Sequence, residues 1–115
     1  MAARQFDPRP QLVAEARAFV REHTRGLSRA EDIELAASEL ATNAIRHAIT
    51  PFELSIHVAS QQVRLEVSDA SPVIPTLTES AGPRHGLHIV EMLAEQWGVR
   101  EIDGGKTVWA EFPTK

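Results

Sequence analysis

The sequence predicts an α+β protein: a two-layer sandwich in which a mixed, mostly antiparallel sheet of four to five strands carries three helices on one face. Three observations predict it. Phe52, Leu54, Ile56 and Val58 alternate with polar residues, and after a short link Val63, Leu65 and Val67 do the same, so this stretch is an antiparallel hairpin with one buried face. A second hairpin is signalled by Val99–Ile102 and Thr107–Phe112 around Asp103-Gly104-Gly105-Lys106. Three other stretches carry apolar residues at helical spacing. Consecutive hairpins exclude a doubly wound parallel sheet, and helices on one face are the economical cover.

In order, residues 1–10 are polar with two prolines and read as an arm. Gln11–His23 places Leu12, Ala16, Phe19 and Val20 on one face, with Glu15, Arg17, Arg21 and Glu22 on the other, a helix that packs on a sheet. Gly26 ends the connection. Ser28–Ala48 reads as one central helix. Ser28 and Glu31 have the spacing of a capping box, and Pro51 stands just past the end. Val73–His85 has neither period and reads as a loop long enough to be functional. Gly86–Trp97 becomes helical again through Leu87, Val90, Leu93, Ala94 and Trp97, and Gly98 suits its C-terminal cap.

The chain has 115 residues, which fits one domain with its own core. It has no cysteine, so it offers no disulfide framework and no thiolate metal site. No apolar run is long enough to cross a membrane, and the N-terminus lacks the apolar core of a signal peptide; a cytoplasmic location is expected. The net charge of −4 has both signs interspersed, which argues against nucleic acid as the main partner.

The chemistry is concentrated at three places. On the central helix, Ile33, Ala36, Ala37, Leu40, Ala44 and Ala48 form a core-facing stripe, and Glu39 and Asn43 lie at its edge, roughly 40° apart about the axis. A Glu there can act as a base, and an Asn can offer its carbonyl oxygen to a hard cation; the bland alternative is a surface charge beside a half-buried polar residue. Asp69 closes a strand, where a carboxylate can accept the amino group of a purine. Arg84-His85-Gly86-Leu87 brings a loop into a helix N-terminus, where backbone N–H groups can hold phosphate. Together they form a nucleotide site. His85 and His88 make a weaker metal candidate. His47 falls on the apolar stripe and reads as a core histidine, and Trp97 and Trp109 as core residues.

In these residues the chain resembles a known family. ELATNAIRHA (Glu39–Ala48 includes its site residues) is similar to the N-box of the GHKL, or Bergerat-fold, ATPases. SDASP stands where that family has its first glycine box. RHGLHIVEMLAEQWGV followed by GGKTVWAEF resembles the C-terminal half of the anti-sigma-factor serine/threonine kinase branch, of actinobacterial type. The resemblance implies a Bergerat-like fold and ATP with Mg2+ as cofactors. It implies Glu39 as the general base for a substrate Ser or Thr hydroxyl and Asn43 as the Mg2+ ligand. It also implies Asp69 on the adenine amino group, Gly86 with Arg84, His85 and Leu87 in the phosphate-facing lid, and Thr107 supporting adenine recognition through water. Its partners would be a sigma factor, an anti-anti-sigma protein or both, and it allows a homodimer. One departure stands out. The family's Asp-x-Gly-x-Gly reads Asp69-Ala70-Ser71-Pro72-Val73, and a proline stiffens the backbone where two glycines would loosen it. That opens a second reading, an adaptor with weak or no catalysis whose partner binding is tuned by nucleotide.

Overall fold

The computed structural model describes residues 1–48, 50–71 and 86–115. Its elements are β1 (Ala2–Phe6), a 3-10 turn (Pro10–Leu12), α1 (Val13–His23), α2 (Ala30–Asn43) running into a π-helical turn (Ala44–Ala48), β2 (Phe52–Val58), β3 (Gln62–Asp69), α3 (Gly86–Leu93), β4 (Gln96–Ile102) and β5 (Gly105–Pro113). The five strands form one sheet in the order β1-β2-β3-β5-β4. Each of the four ladders is antiparallel. The expected α+β sandwich is therefore present, with three α-helices and five strands among the described residues.

Strict alternation sorts the sheet into two faces. Leu54 and Ile56 of β2, Val63, Leu65 and Val67 of β3, and Val108, Ala110 and Phe112 of β5 are buried together with Ala16, Val20, Ile33, Leu40, Leu87 and Val90 of the helices. Each large aliphatic side chain taken fully out of water in this way contributes about 1.5–3 kcal/mol. Helix α2 is the middle helix, packed between α1 and α3. Three of its five buried residues are small, Ala36, Ala37 and Ala41, which lets its neighbours approach closely. Ion pairs and hydrogen bonds link the helices at their surface. Glu34 of α2 accepts from Arg17 and Arg21 of α1. Arg29, ahead of α2, bonds Asp32 at 2.8 Å and the Leu93 carbonyl at the end of α3 at 2.6 Å.

Several expectations are corrected. Residues 2–6 are not an arm but an edge strand, registered on β2 from Ala2 opposite Ile56 to Phe6 opposite Phe52. The Phe6 and Phe52 rings stack with centroids 5.4 Å apart, and Phe19 of α1 meets Phe6 edge-on at 6.5 Å. Ser28 does not cap α2. The helix starts at Ala30 without a side-chain cap, and the Ser28 hydroxyl donates instead to the Thr114 carbonyl, at 3.3 Å. Glu31 and Asp32 in the first turn favour that end by their charge. The π-helical turn widens the last turn of the central helix and shifts its phase, so His47 is exposed rather than in the core. Helix α3 stops at Leu93, and Trp97 and Gly98 belong to β4. Gly98 is required there by packing: a Cβ at this position would come within 2.8 Å of the Trp109 ring. Trp97 packs against the core, but Trp109 lies on the other face of the sheet, under the Arg64 guanidinium at 4.4 Å from its centroid. The expected loop over residues 73–85 falls outside the described residues.

Candidate functional site

Glu39 and Asn43 lie one turn apart on α2, and both are half-buried, as the edge of an apolar stripe requires. The amide of Asn43 is the telling group. Its Nδ2 is buried, and among the described residues it has no hydrogen-bond partner. Leaving such a donor unsatisfied is unfavourable by about 1–3 kcal/mol, so it calls for a partner that the described residues do not supply, such as water, an ion or a ligand. Nitrogen and oxygen of the amide are interchangeable by rotation about its last bond. In either orientation the group offers one donor suited to a phosphate oxygen and one carbonyl suited to a hard cation. Among the described residues, no three His, Asp or Glu side chains converge on a common point. A Mg2+ ion here would take Asn43 from the protein and the remaining oxygens from phosphates and water, as is usual for this ion.

The second part of the site is carried by β3, against which the π-helical turn after Asn43 packs. The inward row of β3 runs Val63, Leu65, Val67, Asp69, so the last inward position of an apolar row holds a carboxylate. Its side chain is 2% exposed. The Asp69 Oδ1 atom accepts the backbone N–H of Ser71 at 2.9 Å and the ammonium of Lys106 at 2.9 Å. Lys106 stands directly opposite in the ladder, and its own side chain is 6% exposed. The two strands meet with little room to spare at this end. A Cβ on Gly105 would collide with the Asp69 carbonyl and the Ala70 backbone.

The structure distributes the other expected residues as follows. Gly86 opens α3, and Leu87 is buried in the core, where its side chain anchors the helix. Arg84 and His85 fall outside the described residues. Thr107 is not brought to the site. By alternation it belongs to the face of Trp109 and Glu111, and its hydroxyl bonds that of Ser68 at 2.7 Å. The inward residue beside Asp69 is Lys106, which the sequence reading placed in the hairpin turn. A signal for it existed. Counting back from Phe112 through Ala110 and Val108 puts Lys106 on the core face, and a lysine there calls for a carboxylate opposite.

The fold is similar to that in the crystal structure of the RsbU and RsbW domains of Rv1364c from Mycobacterium tuberculosis, with a TM-score of 0.72 and 22% identity over 97% of this chain. The match spans 32% of that protein's chain. It is also similar to the Acinetobacter baumannii histidine kinase AdeS, with a TM-score of 0.59 and 18% identity, over 100% of this chain and 68% of the other. At these identities the likeness is one of fold. No curated protein matches the sequence itself. Residues 6–112 match the sequence model of the histidine kinase-like ATPase domain, so the chain belongs to that family.

Proposed function

We propose that this chain is an ATP-binding regulatory protein of anti-sigma-factor type, which binds a sigma factor, phosphorylates a Ser or Thr of an antagonist protein, or does both. The observation that carries the nucleotide part is Asn43 Nδ2, buried and without a partner among the described residues, one turn beyond Glu39 in a chain of an ATPase-domain family. In this reading Asn43 holds the Mg2+–triphosphate and Asp69 accepts the adenine amino group through Oδ2, since Oδ1 is already engaged. Gly86 stands at the phosphate end, with Arg84 and His85 preceding it in the chain. Mg2+ supplies charge neutralisation on the phosphates when bound. Glu39 takes the proton of the substrate hydroxyl as its oxygen attacks the γ-phosphorus, the bond to the bridging oxygen breaks, and ADP leaves. The RsbW-type fold likeness supports a regulatory protein as the partner.

The test is calorimetric titration with ATP and Mg2+. Asn43→Ala should weaken binding at least about tenfold, and chelating the metal should bring the native protein down to the same level. Glu39→Ala should keep binding and lose transfer to a protein substrate. Nucleotide binding that is indifferent to Asn43 sinks the assignment. The adaptor reading is favoured by one specific observation, the Asp69-Ala70-Ser71-Pro72-Val73 segment without the two glycines. It is the correct one if the native protein binds ATP tightly and transfers no phosphate to any sigma-factor antagonist offered.

A further inference from the structure

We infer that Lys106 is a base-reading residue, forming with Asp69 a fixed donor–acceptor pair that recognises two adjacent atoms of the adenine ring. This rests on the nucleotide reading above and goes beyond it by naming a second residue at the base. The argument begins with hydrogen-bonding capacity. An ammonium has three N–H donors and no acceptor, and a buried one gains from every further acceptor it is offered. Among the described residues, Lys106 Nζ reaches one acceptor, Asp69 Oδ1. That oxygen also accepts from the Ser71 backbone, so its capacity is filled. What remains is Oδ2 as an acceptor and the other ammonium N–H groups as donors, held side by side at the inner end of the β3–β5 ladder.

Adenine offers the complementary pattern. Its exocyclic amino group donates, and the ring nitrogen beside it accepts, N1 on one edge or N7 on the other. Asp69 alone would recognise the amino group. Asp69 with Lys106 recognises the amino group and one ring nitrogen together, and the base satisfies donors that the described residues leave open. The rigidity of the pair supports the reading. Lys106 is held by its place in the ladder, and Gly105 lets the two backbones approach so closely that no side chain fits between them. Base discrimination by a site of this kind arises because an analogue lacking the matching atom leaves a buried polar group unpaired.

The experiment compares ATP with the triphosphates of 1-deazaadenosine and 7-deazaadenosine, each with Mg2+, by calorimetry on the native protein and on Lys106→Met. The native protein should lose about tenfold or more in affinity for one of the two deaza compounds, as expected for a hydrogen bond from a charged donor. The variant should bind that compound and ATP equally. Equal binding of ATP and both analogues by the native protein overturns the inference and leaves the nucleotide site standing. Discrimination retained in a folded Lys106→Met overturns it likewise. If the native protein binds no ATP at all, the nucleotide reading and this one fall together. Should the variant fail to fold, the comparison of the three ligands on the native protein decides it.

Discussion

The β3–β5 ladder carries charged residues on both of its faces, and the two faces treat them differently. On the open face Arg64 bonds Glu66 and Glu111, each at 2.6 Å, and covers Trp109. Partial burial pulls the Arg64 pKa down, but the bonds to the two carboxylates outweigh this and raise it. Every member of that group has water or a second partner in reach. On the helix-facing side the last rung is Asp69 and Lys106, each with one oppositely charged partner among the described residues and almost no solvent. Charges in the first setting can be exchanged at small cost. Charges in the second are held together by mutual need, since removing either leaves the other buried and uncompensated. A pair of the second kind is weak support for stability, and its place at the end of the ladder fits the proposed role in binding.

The largest effect should follow from breaking the buried pair. Lys106→Met is expected to lose about 3–5 kcal/mol in urea denaturation, and Asp69→Asn combined with Lys106→Met should recover most of it. A double variant as unstable as the single one would show that the lysine acts through its packing and not its charge. Next come the two glycines that flank the ladder's faces. Gly105→Ala puts a methyl group against the Asp69 backbone, which cannot move without parting the strands, and about 1–3 kcal/mol should be lost. Gly98→Ala meets only the Trp109 ring, a side chain on the open face. It should be milder and should show as a change in tryptophan fluorescence; equal losses for the two would erase the distinction between the faces.

Smaller still is Arg64→Ala, for which about 1 kcal/mol is expected, falling further in high salt. A loss near that of Lys106→Met would mean that the open face is not open in solution. The smallest effect lies between α1 and α2. The hydrogen bond from Arg21, with Arg17 nearby, holds the Glu34 carboxyl below its ordinary range against an opposing push from burial. A carboxyl with a lowered folded-state pKa contributes stability above its unfolded value, and the contribution disappears as pH falls through the folded value. Glu34→Gln should therefore lose at most about 1 kcal/mol at neutral pH. It should also show a shallower loss of stability on acidification. An acid limb unchanged by the substitution would sink the assignment.

What the sequence made legible followed from local periodicity. β2 and β3 alternate so cleanly that their faces are readable residue by residue, and Asp69 is visible as the break at the end of the row. The stripe of α2 was equally plain, and with it the edge position of Glu39 and Asn43. Features set by distant contacts were not legible. Ala2–Phe6 has one large apolar residue facing the core, and its strand state comes from pairing with β2. Ser28 has a capping sequence, but its hydroxyl finds the Thr114 carbonyl across the molecule. Trp97 lies at helical spacing from Leu93 and Ala94, and equally at strand spacing from Val99. The choice went to the strand because β5 pairs there, Trp97 opposite Ala110. Lys106 was hidden by the turn signal of the two glycines before it.

Asp69 and Lys106 are 37 residues apart in the chain. The hairpins β2–β3 and β4–β5 close over short distances, whereas the ladder that joins them brings together remote segments, the slower kind of event in folding. A chain that has made both hairpins but not this ladder has Asp69 without its cation. The proposed base-reading pair thus forms with a long-range ladder and not with a hairpin, and a nucleotide held there would delay unfolding while doing little to hasten folding.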